Sequence, residues 1–137
     1  MDISKRAHES LQQARICVLA TTGPGDAPHA VPMWYLYRDG VITITTSRHS
    51  QKFRNVERTG KAMVVIDDRE PPYYAVMVKG TAETGPPPTK EEEYALALHY
   101  MGAEGVEEYL ATYAGEYPDN ATIIIRPTKV IEYVETS

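Results

Sequence analysis

The sequence predicts a mainly β fold with a few helices, an α+β domain in which about six short antiparallel strands close into a small barrel. Three observations predict it. Short runs rich in β-branched and apolar residues recur along the chain. Turn chemistry separates them, above all Gly23-Pro24-Gly25-Asp26 and Asp39-Gly40. The chain has 137 residues, enough for one domain with a real core, so the elements belong to one unit spanning 1–137. Closure removes the exposed edges that such a meander would otherwise carry.

Residues 3–14 place Ile3, Ala7, Leu11 and Ala14 on one helical face. Arg15 to Thr22 reads as a strand, followed by the glycine-rich turn. His29 to Tyr37 is the next strand, Asp39-Gly40 its hairpin turn and Val41 to Thr46 its partner. Ser50 is a natural N-cap for a short amphipathic helix that Gly60 ends. Ala62 to Ile66 is nearly all apolar, which predicts a strand buried on both faces. Tyr73 to Glu83 resumes alternation, with Gly80 marking a bulge or bend. Thr89-Lys90-Glu91-Glu92 is a capping box opening a helix to about Tyr100. Gly102 breaks that helix, and Glu104 to Ala114 forms a second piece. The tyrosines of these helices are expected to pack in the core. Ala121–Ile125 and Lys129–Val134 make the last strand, with Pro127 implying an edge or a bend.

A formal net charge of -5 argues against a general nucleic-acid binder or an anionic-membrane binder. No apolar run approaches the roughly 20 residues of a membrane span, and the N-terminus has no signal-peptide pattern. The single cysteine, Cys17, sits in an apolar run as a packed strand thiol, and the expected compartment is the cytoplasm. His8, His29, His49 and His99 form no close pair of metal-ligand spacing, so no metal is expected. Nothing marks a nucleophile elbow, and the catalytic residues stay open: Asp67 and Asp68 close a strand and read either as an acid/base pair or as a solvated turn, and His29 and His49 flank neighbouring strands that could bring them to one pocket.

Against the acidic background, Arg48, Lys52, Arg54, Arg58 and Lys61 are offset only by Glu57. Ser47, Arg48, Ser50 and Lys52 gather where a strand hands over to a helix N-terminus. Uncapped N–H groups there favour an anion, and the basic side chains add fixed charge. Two readings stand side by side: a phosphate clamp, and a capped helix with a solvated basic face. Beside it, Pro32 removes one backbone donor from Ala30-Val31-Pro32-Met33-Trp34-Tyr35. Main-chain groups of that strand are then free to read the rim of a flat polar ring, with Met33, Trp34 and Tyr35 as apolar walls.

The ordered series Ala20-Thr21-Thr22, Pro28-His29-Ala30-Val31-Pro32-Met33-Trp34 and Thr45-Thr46-Ser47-Arg48 with Lys52-Phe53-Arg54-Asn55-Val56 carries a family resemblance. It continues through Val64–Asp68, Val78–Ala82 and Ile125–Val130. The chain resembles the pyridoxamine-phosphate-oxidase-like flavin and deazaflavin oxidoreductases over roughly residues 10–134. That resemblance implies a six-stranded antiparallel split β-barrel, FMN-binding-like, that works as a homodimer on a small-molecule substrate. It further implies cofactor ring contacts from Val31, Pro32, Met33 and Trp34, and phosphate contacts from Ser47, Arg48, Ser50 and Lys52, with Asn55 ordering the loop. The pattern is most similar to the branch that uses the deazaflavin coenzyme F420, with FMN the alternative. A non-catalytic flavin- or deazaflavin-binding protein would show the same residues.

Overall fold

The computed structural model describes residues 2–113 and 115–135. Seven strands form one sheet: β1 Cys17–Thr22, β2 Pro28–Met33, β3 Leu36–Arg38, β4 Val41–Ser47, β5 Lys61–Asp67, β6 Tyr74–Gly85 and β7 Asn120–Val134. Their order is β2-β1-β5-β6-β7-β4-β3, antiparallel throughout. The consecutive strands β2 and β3 therefore lie at opposite ends of the sheet, joined only by Trp34 and Tyr35. Three Cα–Cα steps reach about 11 Å at most, so the sheet must curl until its ends approach. The result is a split barrel, with no ladder across its last seam among the described residues.

This corrects the expected six strands. The run expected to be one strand from His29 to Tyr37 divides, with β2 pairing to β1 and only β3 to β4. The cause is Tyr35, which turns inward and is fully buried, its hydroxyl donating to Leu11 O at 3.0 Å. Its own N–H donates to the Tyr100 hydroxyl at 3.1 Å, and its C=O, 3.2 Å from that hydroxyl, shares the hydroxyl's proton with Arg15 O, so no ladder is needed there.

Alternation fills the barrel. Cys17 and Leu19 of β1, Ile42 and Ile44 of β4, Val64 and Ile66 of β5, Val76 and Val78 of β6, and Ile123 and Ile125 of β7 form the core. Met63 and Val65 lie on the opposite face of β5 and are only half-buried, so that strand is not buried on both faces as expected. Pro127 sits at an edge and a bend, as expected: past Ile125 the strand β7 pairs only with β6, and Pro127 faces Gly80 at a register shift where β7 carries the extra residue Thr128. A Cβ on Gly80 would stand 2.5 Å from Arg126 O, which explains the glycine at this bulge.

Three helices dress the barrel: α1 Lys5–Leu11, α2 Gln51–Thr59 and α3 Lys90–Tyr113. The first is shorter than the 3–14 expected and is capped by Ser4, whose hydroxyl accepts from Ala7 N at 3.0 Å. The capping box of α3 forms as expected, Thr89 N–H donating to Glu92 Oε1 at 2.9 Å and Glu92 N–H to Thr89 Oγ1 at 3.1 Å. Gly102 interrupts α3 with φ 74° and ψ 170°. The expected last helical residue, Ala114, lies outside the described residues.

Candidate functional site

The N-terminus of α2 is assembled by its own short sequence. Ser50 Oγ accepts from Phe53 N–H at 3.3 Å and donates to Ser47 O at 2.7 Å. Ser47 Oγ accepts from His49 N–H at 3.1 Å. These bonds fix the corner between β4 and α2 and leave the first N–H groups of the helix without intrahelical partners. Lys52 stands in that first turn, half-buried and paired with no carboxylate among the described residues. Burial pushes its pKa down from the ordinary lysine value. An anion set here regains for the ammonium what burial takes away.

Arg48 is placed differently from Lys52. Its guanidinium lies 2.9 Å from Asp119 Oδ1, and its N–H donates to Asp119 O at 3.0 Å. His49 Nε2 lies 3.4 Å from the other oxygen of the same carboxylate. Arg48 and His49 therefore fasten the corner to the loop before β7, and part of the Arg48 charge is already answered. Arg54 is exposed and has no ion pair among the described residues.

The residues expected to line a ring do not share one face. Val31 and Met33 pack against the core, whereas Pro32 points outward and is exposed. Trp34 lies past the end of β2, stacked on Tyr100 with ring centroids 4.4 Å apart and planes 1° from parallel. What Val31, Pro32 and Met33 share is the main chain of an edge strand, since β2 pairs only with β1. Its outer row of N–H and C=O groups is open to a planar polar partner, with the N–H of Pro32 missing.

Asn55 holds α2 against this side of the barrel. It is fully buried and donates to Thr21 Oγ1 at 3.0 Å, while its Oδ1 accepts from Gln51 Nε2 at 2.6 Å. Arg58 donates to Thr22 O one residue further along β1. Thr21 faces His29 across the β1–β2 ladder, and His29 Nδ1 is the buried side-chain polar atom that finds no partner among the described residues. The helix α2 and the strand β2 are thus joined through β1. Sequence reasoning missed Thr21 and Asp119, whose partners lie 34 and 71 residues away. One local signal was available for Asn55, a polar residue beside Phe53 and Val56 on the buried face of α2.

The tyrosines of α3 are not core residues, contrary to expectation. Only Ala97 and Val106 of that helix are buried, while Tyr94, Leu98, Met101 and Tyr113 are exposed. Tyr109 leans on Trp34 at 5.4 Å and on Tyr113 at 4.7 Å, continuing an aromatic row from Tyr100 across the end of β2. Burial lifts the Tyr100 hydroxyl to about 12, and that hydroxyl already donates to Arg15 O at 2.6 Å. The Cys17 thiol is likewise pushed up to about 12 by burial, which makes it a packing group and not a nucleophile. Asp67 and Asp68 are engaged by Arg69 and Arg15 respectively, so that carboxylate pair serves structure.

Unpaired cation, open helix N-terminus and free strand edge form a donor set suited to a phosphate and a flat heterocycle. Comparison with known proteins points the same way. No curated protein matches the sequence. Among solved structures, an F420 reductase superposes with a TM-score of 0.79 at 25% identity, covering 94% of this chain and 98% of that one. A putative pyridoxamine 5'-phosphate oxidase from Listeria innocua has the same fold, with a TM-score of 0.69, 19% identity and coverage of 93% and 94%. So does an FAD-binding protein from Mesorhizobium loti, at 0.65, 16%, and 95% and 94%. With the family's sequence model matching residues 3–133, and the strand order and helix corner found as described, the chain belongs to the pyridoxamine 5'-phosphate oxidase family.

Proposed function

We propose that this protein is an oxidoreductase that binds coenzyme F420 and serves hydride transfer between that cofactor and a small conjugated acceptor. The observation that carries the reading is Lys52, half-buried in the first turn of α2 without a carboxylate partner. Lys52 and the open N–H groups of α2 would hold the phosphate, with the Ser47 hydroxyl free to donate to it. Ser50 contributes by holding the turn, and Arg48 by long-range charge. The main-chain edge of Val31, Pro32 and Met33 would read the ring rim, and Trp34 would close the ring's far end. A bound deazaflavin supplies the two-electron hydride chemistry; the protein's own part is to bind, orient and exclude water.

No side chain is required to move a proton. The Tyr100 hydroxyl already directs its proton to the main-chain carbonyls of Arg15 and Tyr35, so in this reading solvent supplies the proton to the reduced acceptor. The choice of F420 over FMN draws support from the solved F420 reductase of similar fold and length. It also draws on Arg54, Arg58 and Lys61, which add more basic charge near α2 than one phosphate requires and suit the cofactor's acidic tail.

The test is binding followed by turnover. Fluorescence titration of the purified protein should give tighter binding of reduced F420 than of FMN, weakening as salt rises. Equal or tighter FMN binding reverses the cofactor assignment. Binding of F420 with no oxidation of it by any conjugated acceptor leaves a cofactor-holding protein in place of an enzyme.

A further inference from the structure

A row of aromatic rings leads away from the end of β2, and neither the core nor the clamp accounts for it. Trp34 is the single tryptophan of the chain and follows directly on β2. Tyr100 stacks on its indole at 4.4 Å. From the same indole, ring follows ring along α3 and past its end. Tyr109 lies at 5.4 Å, Tyr113 a further 4.7 Å on, and Tyr117 another 6.2 Å beyond. Rings with centroids up to about 7 Å apart are in edge or face contact, so no gap interrupts the row. The repeat of four residues from Tyr109 to Tyr113 keeps both rings on one face of the helix.

Exposure rises along the row. Trp34, Tyr100 and Tyr109 are half-buried, Tyr113 is 40% exposed and Tyr117 56%. The chemistry changes with it. An indole can lose one electron and hold the charge as a radical cation, which the face of a stacked ring such as Tyr100 attracts. A phenol loses an electron only together with its proton. The Tyr100 hydroxyl has no outlet for that proton, because it is directed at the carbonyls of Arg15 and Tyr35. Burial likewise makes the Tyr109 proton harder to remove. Tyr117 faces water, which accepts the proton freely. An electron vacancy placed on Trp34 is therefore drawn outward.

We infer that Trp34, Tyr109, Tyr113 and Tyr117 form a relay that carries one-electron oxidising equivalents from the end of β2 to the surface. The oxidant is a one-electron acceptor of the inorganic-radical or photoexcited-flavin class. It takes one electron from the Trp34 indole and is itself reduced by one. The electron that refills the indole passes through Tyr113 and Tyr109 from Tyr117, whose phenol releases its proton to water and becomes a phenoxyl radical. A soluble thiol or ascorbate then gives a hydrogen atom to Tyr117 and is oxidised by one electron. No bond of the chain other than that O–H breaks, so the indole is spared irreversible oxidation. The row lies within one chain, and the inference does not rest on the cofactor assignment.

Pulse radiolysis of the full-length protein in azide solution tests it. The azide radical oxidises tryptophan ahead of tyrosine, and Trp34 is the only indole in the chain. The indole radical band should decay as a phenoxyl band grows, at a first-order rate that does not change with protein concentration. A nitroso spin trap followed by peptide mass mapping should place the adduct on Tyr117. Tyr109→Phe should slow the transfer by about tenfold or more. Tyr117→Phe should keep the fast decay of the indole radical and move the adduct to Tyr113. Tyr133→Phe, at an exposed tyrosine of β7 outside the row, should change nothing. An indole radical that persists without a phenoxyl band would overturn the relay, as would a transfer rate that rises in proportion to protein concentration. Transfer at the parent rate in Tyr109→Phe, or an adduct on a tyrosine outside the row, would overturn it equally.

Discussion

Lys52 is a cation that the fold half-buries without giving it a carboxylate. Burial disfavours its charge, so in the free protein the ammonium is a small cost to stability. Lys52→Met should therefore melt at the same temperature as the parent or slightly above it. Cofactor binding should fall, because a charge-assisted contact contributes roughly 1.5–3 kcal/mol, or about ten- to a hundredfold in Kd. Lys90→Ala, at the start of α3, should change neither quantity. Melting curves and titrations on the three proteins decide it, and an unchanged Kd in Lys52→Met would return this segment to a solvated basic helix. Glu132 works at the same scale with the opposite sign. Its carboxylate accepts from Ser4 Oγ at 2.6 Å and Tyr74 Oη at 2.5 Å, and these bonds hold its pKa below the ordinary 4.5. A depressed carboxylate stabilises the fold above its unfolded pKa, and that contribution is lost as pH falls through the folded value. Because the group is largely exposed, the effect should be small and reduced by salt. Urea midpoints measured against pH should fall more steeply on the acid side for the parent than for Glu132→Gln.

At the level of elements, α2 shows why some of this architecture could be read in advance. Ser50 caps it and Gly60 ends it in the left-handed conformation at φ 67°, two signals contained within a dozen residues. The capping box of α3 is equally local. The division of the expected strand at Trp34 and Tyr35 has no glycine or proline at the break itself, and Pro32, two residues earlier, still pairs within β2. It depends on the Tyr100 hydroxyl, 65 residues away, taking over the main-chain groups of Tyr35. Likewise Lys52 could be singled out from the sequence, but the claim of Asp119 on Arg48 could not. Asn55 is the seam between these two kinds of information, and it yields a prediction. Asn55→Ala would leave the Thr21 hydroxyl and the Gln51 amide without a buried partner. Such a loss costs about 1–3 kcal/mol, and at about 4 °C per kcal/mol the melting temperature should drop by roughly 4–12 °C. A drop under about 1 °C would mean that α2 is held by Phe53 and Val56 alone.

For the molecule as a whole, the pressing feature is how much apolar surface the single chain leaves in water. Ile16, Tyr73, Tyr133 and Val134 are exposed around the sheet, and Tyr94, Leu98, Met101 and Tyr113 along α3. Between them the outer sheet face presents Val18, Met63, Val65, Met77 and Ile131, all half-buried. Each of the five alternates along its strand with a residue packed in or against the core, so their side chains share the face turned away from the core. Apolar area of this extent on one side of a small sheet marks an association surface. A second copy is the occupant we propose, because the free edge of β2 is a half-site that a partner would complete as a groove for the ring. Sedimentation at low micromolar concentration should show one species of twice 15.3 kDa. Met77→Glu, which sets a charge in the middle of the face, should shift the protein toward monomer. Cofactor affinity should fall with it, although Met77 lies on β6 and Lys52 on α2. A parent protein that sediments at 15.3 kDa would remove the dimer, and a Met77→Glu monomer that keeps full affinity would remove the partner from the site.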